Sequence, residues 1–464
     1  MRKLLILLFV VGCNKICVAQ NDSLQILPVQ YFIEKVKQHH PLAKVANIAI
    51  EKAEANLLTA RGGFDPVLEF DARQKTFDSK NYYTYNNAEI KVPLPVGDIK
   101  TGIERNGGQF LESEITSGRS SYAGIEVPLA KGLLIDKRRA FLQQARIAIQ
   151  QNTAQQRALV NDLLLDAYES YYQWAGNYRL FNIFSSYVKV SNDRLRLIRI
   201  SQQNGDRAVM DTIEAFTQLQ NFIILQGEAQ VKMMTAKFML NNFIWDANGL
   251  PQNIAETIIP DTSLISASIS TQALLDLIQL GITQNPILQQ NRFKIDILQV
   301  ERRLKFQGLL PTVNVKGNLL SRDFYAFKNN GIAFLDNNNY WGIDIKIPLR
   351  FREGRGEYRL AKLKVVESNW ELKQKTLETE NKVRDYFNQF TLIEKQLVVA
   401  NDAYRNFSTL LKNELLRFTN GESSLFLVNT RENKVFEIQQ KLIELQVKLL
   451  KAKYGLDWAA GVIE

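Results

Sequence analysis

Cysteine is nearly missing from this 464-residue chain: it occurs twice, at Cys13 and Cys17, both inside the first twenty residues. No disulfide framework, zinc cluster or thiol nucleophile can therefore be built downstream. Histidine is as scarce, with His39 and His40 adjacent and no other in the chain. Neighbouring residues on a helix point apart and no third ligand is evident, so the pair reads as structural, at a helix break, rather than as a metal site. There is no glycine-rich phosphate loop after a strand, and no pair of carboxylates stands out from the helix surfaces. An enzyme is the least expected class, and no cofactor, metal or catalytic residue is assigned.

Long apolar runs are also missing. Past the N-terminus no stretch of about 18 apolar residues appears, so a helical membrane span is excluded and any crossing must be made by strands. The net charge of +10 is not clustered: Lys and Arg alternate with Asp and Glu along the helical stretches, which describes solvated faces and gives no reason to expect nucleic acid. With 45% hydrophobic and 23% charged residues and no low-complexity tract, the composition is that of an ordered protein.

What is present begins with a leader. Met1-Arg2-Lys3 and the apolar Leu4 to Gly12 form a secretory signal, expected to span 1–19 with cleavage near Ala19. A lipobox ending at Cys13, which would be acylated, is the alternative. Export without disulfides suits a bacterial periplasm or outer membrane.

The mature chain repeats itself. Pro41 opens and Pro66 closes one helical pattern, Pro286 and Pro311 another, and 66 minus 41 equals 311 minus 286. Ile125-Glu126-Val127-Pro128-Leu129 is answered by Ile345-Lys346-Ile347-Pro348-Leu349, and Asn204-Gly205-Asp206 by Asn420-Gly421-Glu422. The offsets of 245, 220 and 216 place roughly 25 extra residues in the first half, between its strand signals. The domains expected are a first repeat at 20–245, a linker at 246–270 and a second repeat at 271–464, each repeat running helix, strands, long helical hairpin.

Helix is expected over Leu24 to Arg61, broken at His39-His40-Pro41. Strand alternation, oily on one side and polar on the other, is read at Val67 to Phe77, Ala88 to Val92, Ala123 to Leu129, Val313 to Leu319 and Trp341 to Ile347. Tyr82, Tyr83, Tyr85, Tyr122, Tyr340 and Trp341 read as an interfacial aromatic girdle, the alternative being ordinary strand formers. About four convincing strands per chain cannot close a barrel, and an open edge cannot sit in hydrocarbon. Copies must pool strands, and three chains giving about twelve is the economical solution. Residues 81–110, which hold the extra length, fit either a further hairpin in the barrel or a plug or rim.

The period then turns helical. Val160, Leu164, Ala167, Tyr171, Trp174, Tyr178, Phe181 and Val188 keep three-four spacing, with Ser185 the one polar member. Val383, Tyr386, Phe390, Ile393, Leu397, Ala400, Tyr404, Phe407 and Leu411 do the same. Such a period means supercoiling against another helix, and about 70 helical residues reach roughly 100 Å at 1.5 Å per residue. Each long helix ends at an Asn-Gly turn and returns, over Val209 to Asn242 and Leu425 to Tyr454. The fold class is mainly α with inserted β: a long coiled-coil α-barrel and a trimeric outer-membrane β-barrel, internally duplicated.

Taken together, the Pro-bounded helices, the Ile-x-Val/Ile-Pro-Leu strand ends and the Gly-tipped hairpins resemble the TolC-like outer-membrane efflux proteins. The resemblance covers essentially the whole mature chain and rests on the duplicated set rather than on one motif. It implies a homotrimer, with a twelve-stranded barrel in outer-membrane lipid continuous with an α-barrel through the periplasm. It also implies docking to a periplasmic adaptor protein and, through it, to an inner-membrane pump. The family's tip pattern, often Gly, then an acid six residues on and an acid or amide nine on, is matched by Gly205, Asp211 and Glu214, with Arg207 beside them as periplasmic gate candidates. The second tip departs, with Leu427 and Thr430 in the acidic places and Ser423 in that of the arginine. Gly205, Asp206, Gly421, Glu422, Leu425 and Phe426 are the candidate adaptor contacts. The function implied is the exit duct of a tripartite efflux system for small molecules. The alternatives are the duct of a type I protein secretion system and, in another class, a trimeric coiled-coil surface fibre or adhesin.

Overall fold

Proline sets the first boundaries. The computed structural model describes residues 24–112, 115–263, 271–323, 327–328, 331–332 and 338–463; the leader with Cys13 and Cys17, and 264–270 of the expected linker, lie outside them. The described residues open not with helix but with a strand, β1 (Gln25–Leu27), because Pro28 holds its predecessor extended and α1 (Val29–His39) starts only after it. Helix α2 (Pro41–Gly62) follows, with Pro41 at its first position and the His40 side chain as N-cap, Nδ1 accepting from the Leu42 N–H at 3.2 Å.

Four strands come next: β2 (Val67–Phe77), β3 (Lys80–Pro93), β4 (Asp98–Gly107) and β5 (Gly118–Pro128). Helix α3 (Lys137–Gln203) runs 67 residues and returns as α4 (Val209–Asn241). Strand β6 (Ile258–Pro260) pairs in parallel with β1, tying the segment after the first hairpin to the chain's start. The second half runs α5 (Thr271–Gln284), α6 (Pro286–Phe306), β7 (Thr312–Arg322), the two-residue strands β8 (Phe327–Lys328) and β9 (Gly331–Ile332), and β10 (Asn339–Lys346). It ends with α7 (Arg352–Thr419), 68 residues long, and α8 (Leu425–Ala460). Asn285 caps α6 as His40 caps α2, accepting from Ile287 N at 2.9 Å.

The helices bury the stripe their period demands. Leu164, Ala167, Tyr171 and Trp174 on α3 are buried against α1, and Val383, Phe390, Leu397 and Ala400 on α7 face α8 or α5. A fully buried side chain of this size contributes about 1.5–3 kcal/mol relative to exposure. Ser185, the polar break in the stripe, is satisfied: its Oγ donates to the Phe181 carbonyl and accepts from Gln226 Nε2 on α4 at 2.9 Å. Where α7 and α8 cross, Gly455 leaves room for the Tyr386 ring, which a Cβ there would meet at 2.2 Å.

Six of the strands form one antiparallel sheet in the order β10-β7-β5-β4-β3-β2, while β1 pairs with β6 and β8 with β9. The expected count of about four is therefore corrected to six. The extra residues of the first half are neither plug nor rim but the hairpin β3–β4, inserted between β2 and β5. Its strand β4 escaped the alternation because Thr101 and Arg105 dilute the apolar side, leaving Ile99 and Ile103, and Gly102 interrupts the polar side. Gly102 is required where it stands: a Cβ would come within 2.6 Å of the Tyr122 ring lying across it.

Candidate functional site

Two regions carry the functional geometry, the sheet and the hairpin tips. Side chains alternate across a strand, so the register fixes which residues share a face. One set of rows runs Trp341, Gly317, Ile125, Ile99, Val92, then Leu319, Ala123, Thr101, Ile90, Leu68, and then Ser121, Ile103, Ala88, Phe70. This face is apolar and uncovered, with Leu68 73%, Phe70 70%, Ile345 61% and Trp341 73% exposed. The opposite rows carry Lys316, Glu126 and Asp98, then Asn318, Lys100 and Lys91, then Tyr122, Glu89 and Glu69.

The charges on that second face are paired. Lys100 Nζ lies 2.8 Å from Glu126, Lys91 Nζ 3.1 Å from Asp98, and the Tyr122 hydroxyl donates to Glu89 at 2.6 Å. At the inner end Arg138, in the first turn of α3, holds Asp98 at 2.8 Å, fastening the inserted hairpin to the long helix. The aromatic girdle needs correction. Tyr83, Tyr85, Tyr122 and Tyr340 alternate onto the charged face; of the six only Trp341 joins the apolar rows, while Tyr82 packs on Phe77 and Phe110.

Both tips close alike. Gly205 has φ +83° and Gly421 φ +77°, a left-handed conformation in which glycine alone is unstrained, and nothing crowds either Cα. The next N–H returns to the helix, Asp206 N to Ser201 O at 2.9 Å and Glu422 N to Arg417 O at 2.8 Å. Gly205, Asp206, Gly421 and Glu422 are exposed, as is Phe426 at 64%. Leu425 is fully buried with Leu195, Ile198, Ala215 and Leu219, so it joins the two hairpins to each other, and Phe426 carries the outward apolar surface.

The structure does not bring the three gate candidates into one cluster. Arg207 reaches across to the second hairpin, its guanidinium 4.2 Å from the centre of the Phe418 ring and its Nη2 donating to the Phe418 carbonyl at 3.1 Å. Among the described residues Arg207 makes no ion pair with Asp211 or Glu214. Asp211 sits half-buried in the first turn of α4, where a carboxylate suits the helix dipole. Glu214 accepts from Asn429 Nδ2 at 3.2 Å, and Asn429 accepts from Arg194, which makes a two-pronged ion pair with Glu432 at 2.6 and 2.8 Å.

That chain of contacts joins α3, α4 and α8 just behind the tips. Arg194, Asn429 and Glu432 were not read as site residues from the sequence, because the acidic places of the second repeat, Leu427 and Thr430, are vacant of acids. The signal was an acid two residues beyond, on the buried side of the same helix. Glu414 of α7 serves the second tip, taking the Ser423 hydroxyl, with Arg431 at 3.9 Å.

Burial pushes the Asp457 carboxyl of α8 up, opposed by Lys453, and pushes the Tyr171 hydroxyl up to about 12, with the Asp261 charge adding to the rise. Among the described residues no group of three or more His, Cys, Asp or Glu could hold a metal ion. No described helix is long and apolar enough to cross a membrane.

No family model matches the sequence, and no curated protein matches it. Solved structures do. The outer membrane protein VceC of Vibrio cholerae superposes with a TM-score of 0.63 at 14% identity, over 93% of this chain and 96% of that one. The CmeC outer membrane channel of Campylobacter jejuni gives 0.63 at 14%, over 94% and 86%. The open state of the MtrE outer membrane channel of Neisseria gonorrhoeae gives 0.64 at 12%, over 93% and 88%. Identities this low establish a shared fold, and the chain has the TolC-like fold of these outer-membrane channels.

Proposed function

We propose that this protein is an outer-membrane exit duct: a homotrimer whose strands cross the outer membrane and whose helical hairpins extend through the periplasm, passing small molecules passively in a tripartite efflux system. One observation carries the reading. The sheet has an apolar face and a charge-paired face, ends in edge strands on both sides, and continues into two helical hairpins whose longer arms run roughly 100 Å. An unfinished sheet of this kind cannot rest in hydrocarbon, where every unsatisfied backbone group costs several kcal/mol; identical neighbours complete it. The apolar rows then meet lipid and the Lys–Glu rows line water.

The tips are the surface offered to a periplasmic adaptor, and through it to an inner-membrane pump that supplies the energy. Asp206, Gly205, Gly421, Glu422 and Phe426 form that surface, with Leu425 holding the hairpins together beneath it. Three copies of Asp211 and Glu214 around a narrow axis would repel one another and attract cations; with Arg207 turned to Phe418, closure rests on the Arg194–Glu432 network.

Purified protein in planar bilayers should give cation-preferring single channels, and deleting the gene should raise sensitivity to small toxic compounds while leaving secretion of large proteins intact. Loss of protein secretion with unchanged drug sensitivity would assign the duct to type I secretion instead. A preparation with no conductance and no hollow cylinder in electron micrographs would overturn the duct.

A further inference from the structure

We infer that three copies of this chain close an eighteen-stranded barrel, six strands each, with β10 of one copy pairing to β2 of the next. This rests on the trimeric duct proposed above. The inference comes from the inserted hairpin β3–β4, which is part of the wall by every test the structure offers. It is hydrogen-bonded on both sides, β3 to β2 over eleven register pairs and β4 to β5 over nine. Its side chains continue both faces, Ile90, Ile99 and Ile103 on the apolar side and Glu89, Lys91 and Lys100 on the charged side. Its lengths of 14 and 10 residues meet the roughly 9–11 that a tilted strand needs to cross. Asp78 and Ser79, both with positive φ, make the tight two-residue turn that links it to β2. Stripping it from the wall would break two ladders inside hydrocarbon.

The seam is antiparallel by construction. Strand β2 leaves the end of α2 and β10 runs back toward α7, and because every neighbour in the sheet is antiparallel and the number per chain is even, β10 meets the next β2 in the opposite sense. Both edge strands are accessible along nearly their whole length, with Trp341, Ile343 and Ile345 on one and Leu68 and Phe70 on the other continuing one apolar band. Size agrees as well. Eighteen strands about 4.8 Å apart and tilted about 40° give a wall roughly 36 Å across, against about 24 Å for twelve. Twelve helices packed about 9 Å apart, four from each chain, make a ring of about 35 Å. An eighteen-stranded wall is therefore wide enough to continue the helical ring.

A density map of the intact protein in lipid nanodiscs tests this, together with single-channel conductance of a variant lacking residues 78–107. That deletion leaves β2 next to β5, which are already antiparallel, and reduces the wall to twelve strands. Eighteen strands over three chains, and conductance of the variant reduced about two-fold or more, is the expected result. Three chains around a twelve-stranded wall, or conductance that rises on deletion because the hairpin had obstructed the lumen, overturns the inference and leaves the duct intact. A copy number other than three overturns both. If the deletion variant does not insert, cysteine pairs joining β10 (Trp341→Cys or Ile343→Cys) to β2 (Leu68→Cys or Phe70→Cys) report the seam, and the map decides the strand count.

Discussion

The two hairpin tips share their turn and differ in what lies beneath it. Leu425, which opens α8, is fully buried, whereas Val209, which opens α4 at the equivalent position, is 63% exposed. Glu432 is buried against Arg194 from the second hairpin, while the acids of the first tip, Asp211 and Glu214, remain half-buried near the surface. The strands diverge likewise: the first half contributes four to the large sheet and the second two. The two halves share their turns and helix caps, which local chemistry dictates, and differ in that the second tip carries the buried clasp while the acids of the first stay nearer the surface.

Breaking the clasp should have the largest effect. Glu432→Ala leaves the Arg194 guanidinium largely buried without its partner, its side chain being 14% exposed, and is expected to destabilise by about 3–5 kcal/mol. Removing the exposed Glu422 in the same way should cost under about 1 kcal/mol. Denaturant unfolding of the two variants in detergent measures the difference, and equal losses would mean that the buried pair is not a clasp. Next in size, Leu425→Ala should cost about 2–5 kcal/mol through the cavity it opens, while Val209→Ala should stay within about 0.5 kcal/mol. If thermal melts shift equally for both, the tips are energetically alike.

Gly205→Ala and Gly421→Ala force a Cβ into left-handed backbone and should each cost about 1 kcal/mol with no steric component, since neither glycine has a neighbour near that position. Similar shifts at both would show the turn to be the conserved part of the comparison.

The smallest effect separates the caps. Burial lowers the His40 pKa from its ordinary value near 6.5, with a backbone hydrogen bond at Asn242 acting the other way. Folding thus favours the neutral ring, whose Nδ1 must stay unprotonated to accept from Leu42. The stability this contributes is complete above about pH 6.5 and is lost as pH falls through the lower folded value. His40→Asn copies the Asn285 cap and should change stability by about 0.5 kcal/mol or less at pH 8 while flattening the decline below pH 6. A pH–stability curve unchanged by the substitution would show that His40 does not titrate with folding.

Much of the fold was legible because its signals are periodic or local. Proline and glycine at matched offsets marked helix starts and tips, and the three-four spacing of α3 and α7 named side chains that are buried or half-buried. What stayed hidden depends on contacts distant in sequence. Strand β4 alternates, but Gly102 and its charged neighbours make sense only once Tyr122 lies across it. Tyr83, Tyr85, Tyr122 and Tyr340 were legible as strand formers but not as members of the charged face, since facing is settled by register with the neighbouring strands. At the tips Gly205 and Gly421 could be read directly, whereas the Arg194–Glu432 pair joins residues more than two hundred positions apart.

In the proposed duct one chain cannot finish its own wall. Native mass spectrometry of the detergent-purified mature protein tests this most directly: a predominant species of three times the chain mass is predicted, and a stable, folded monomer would contradict it.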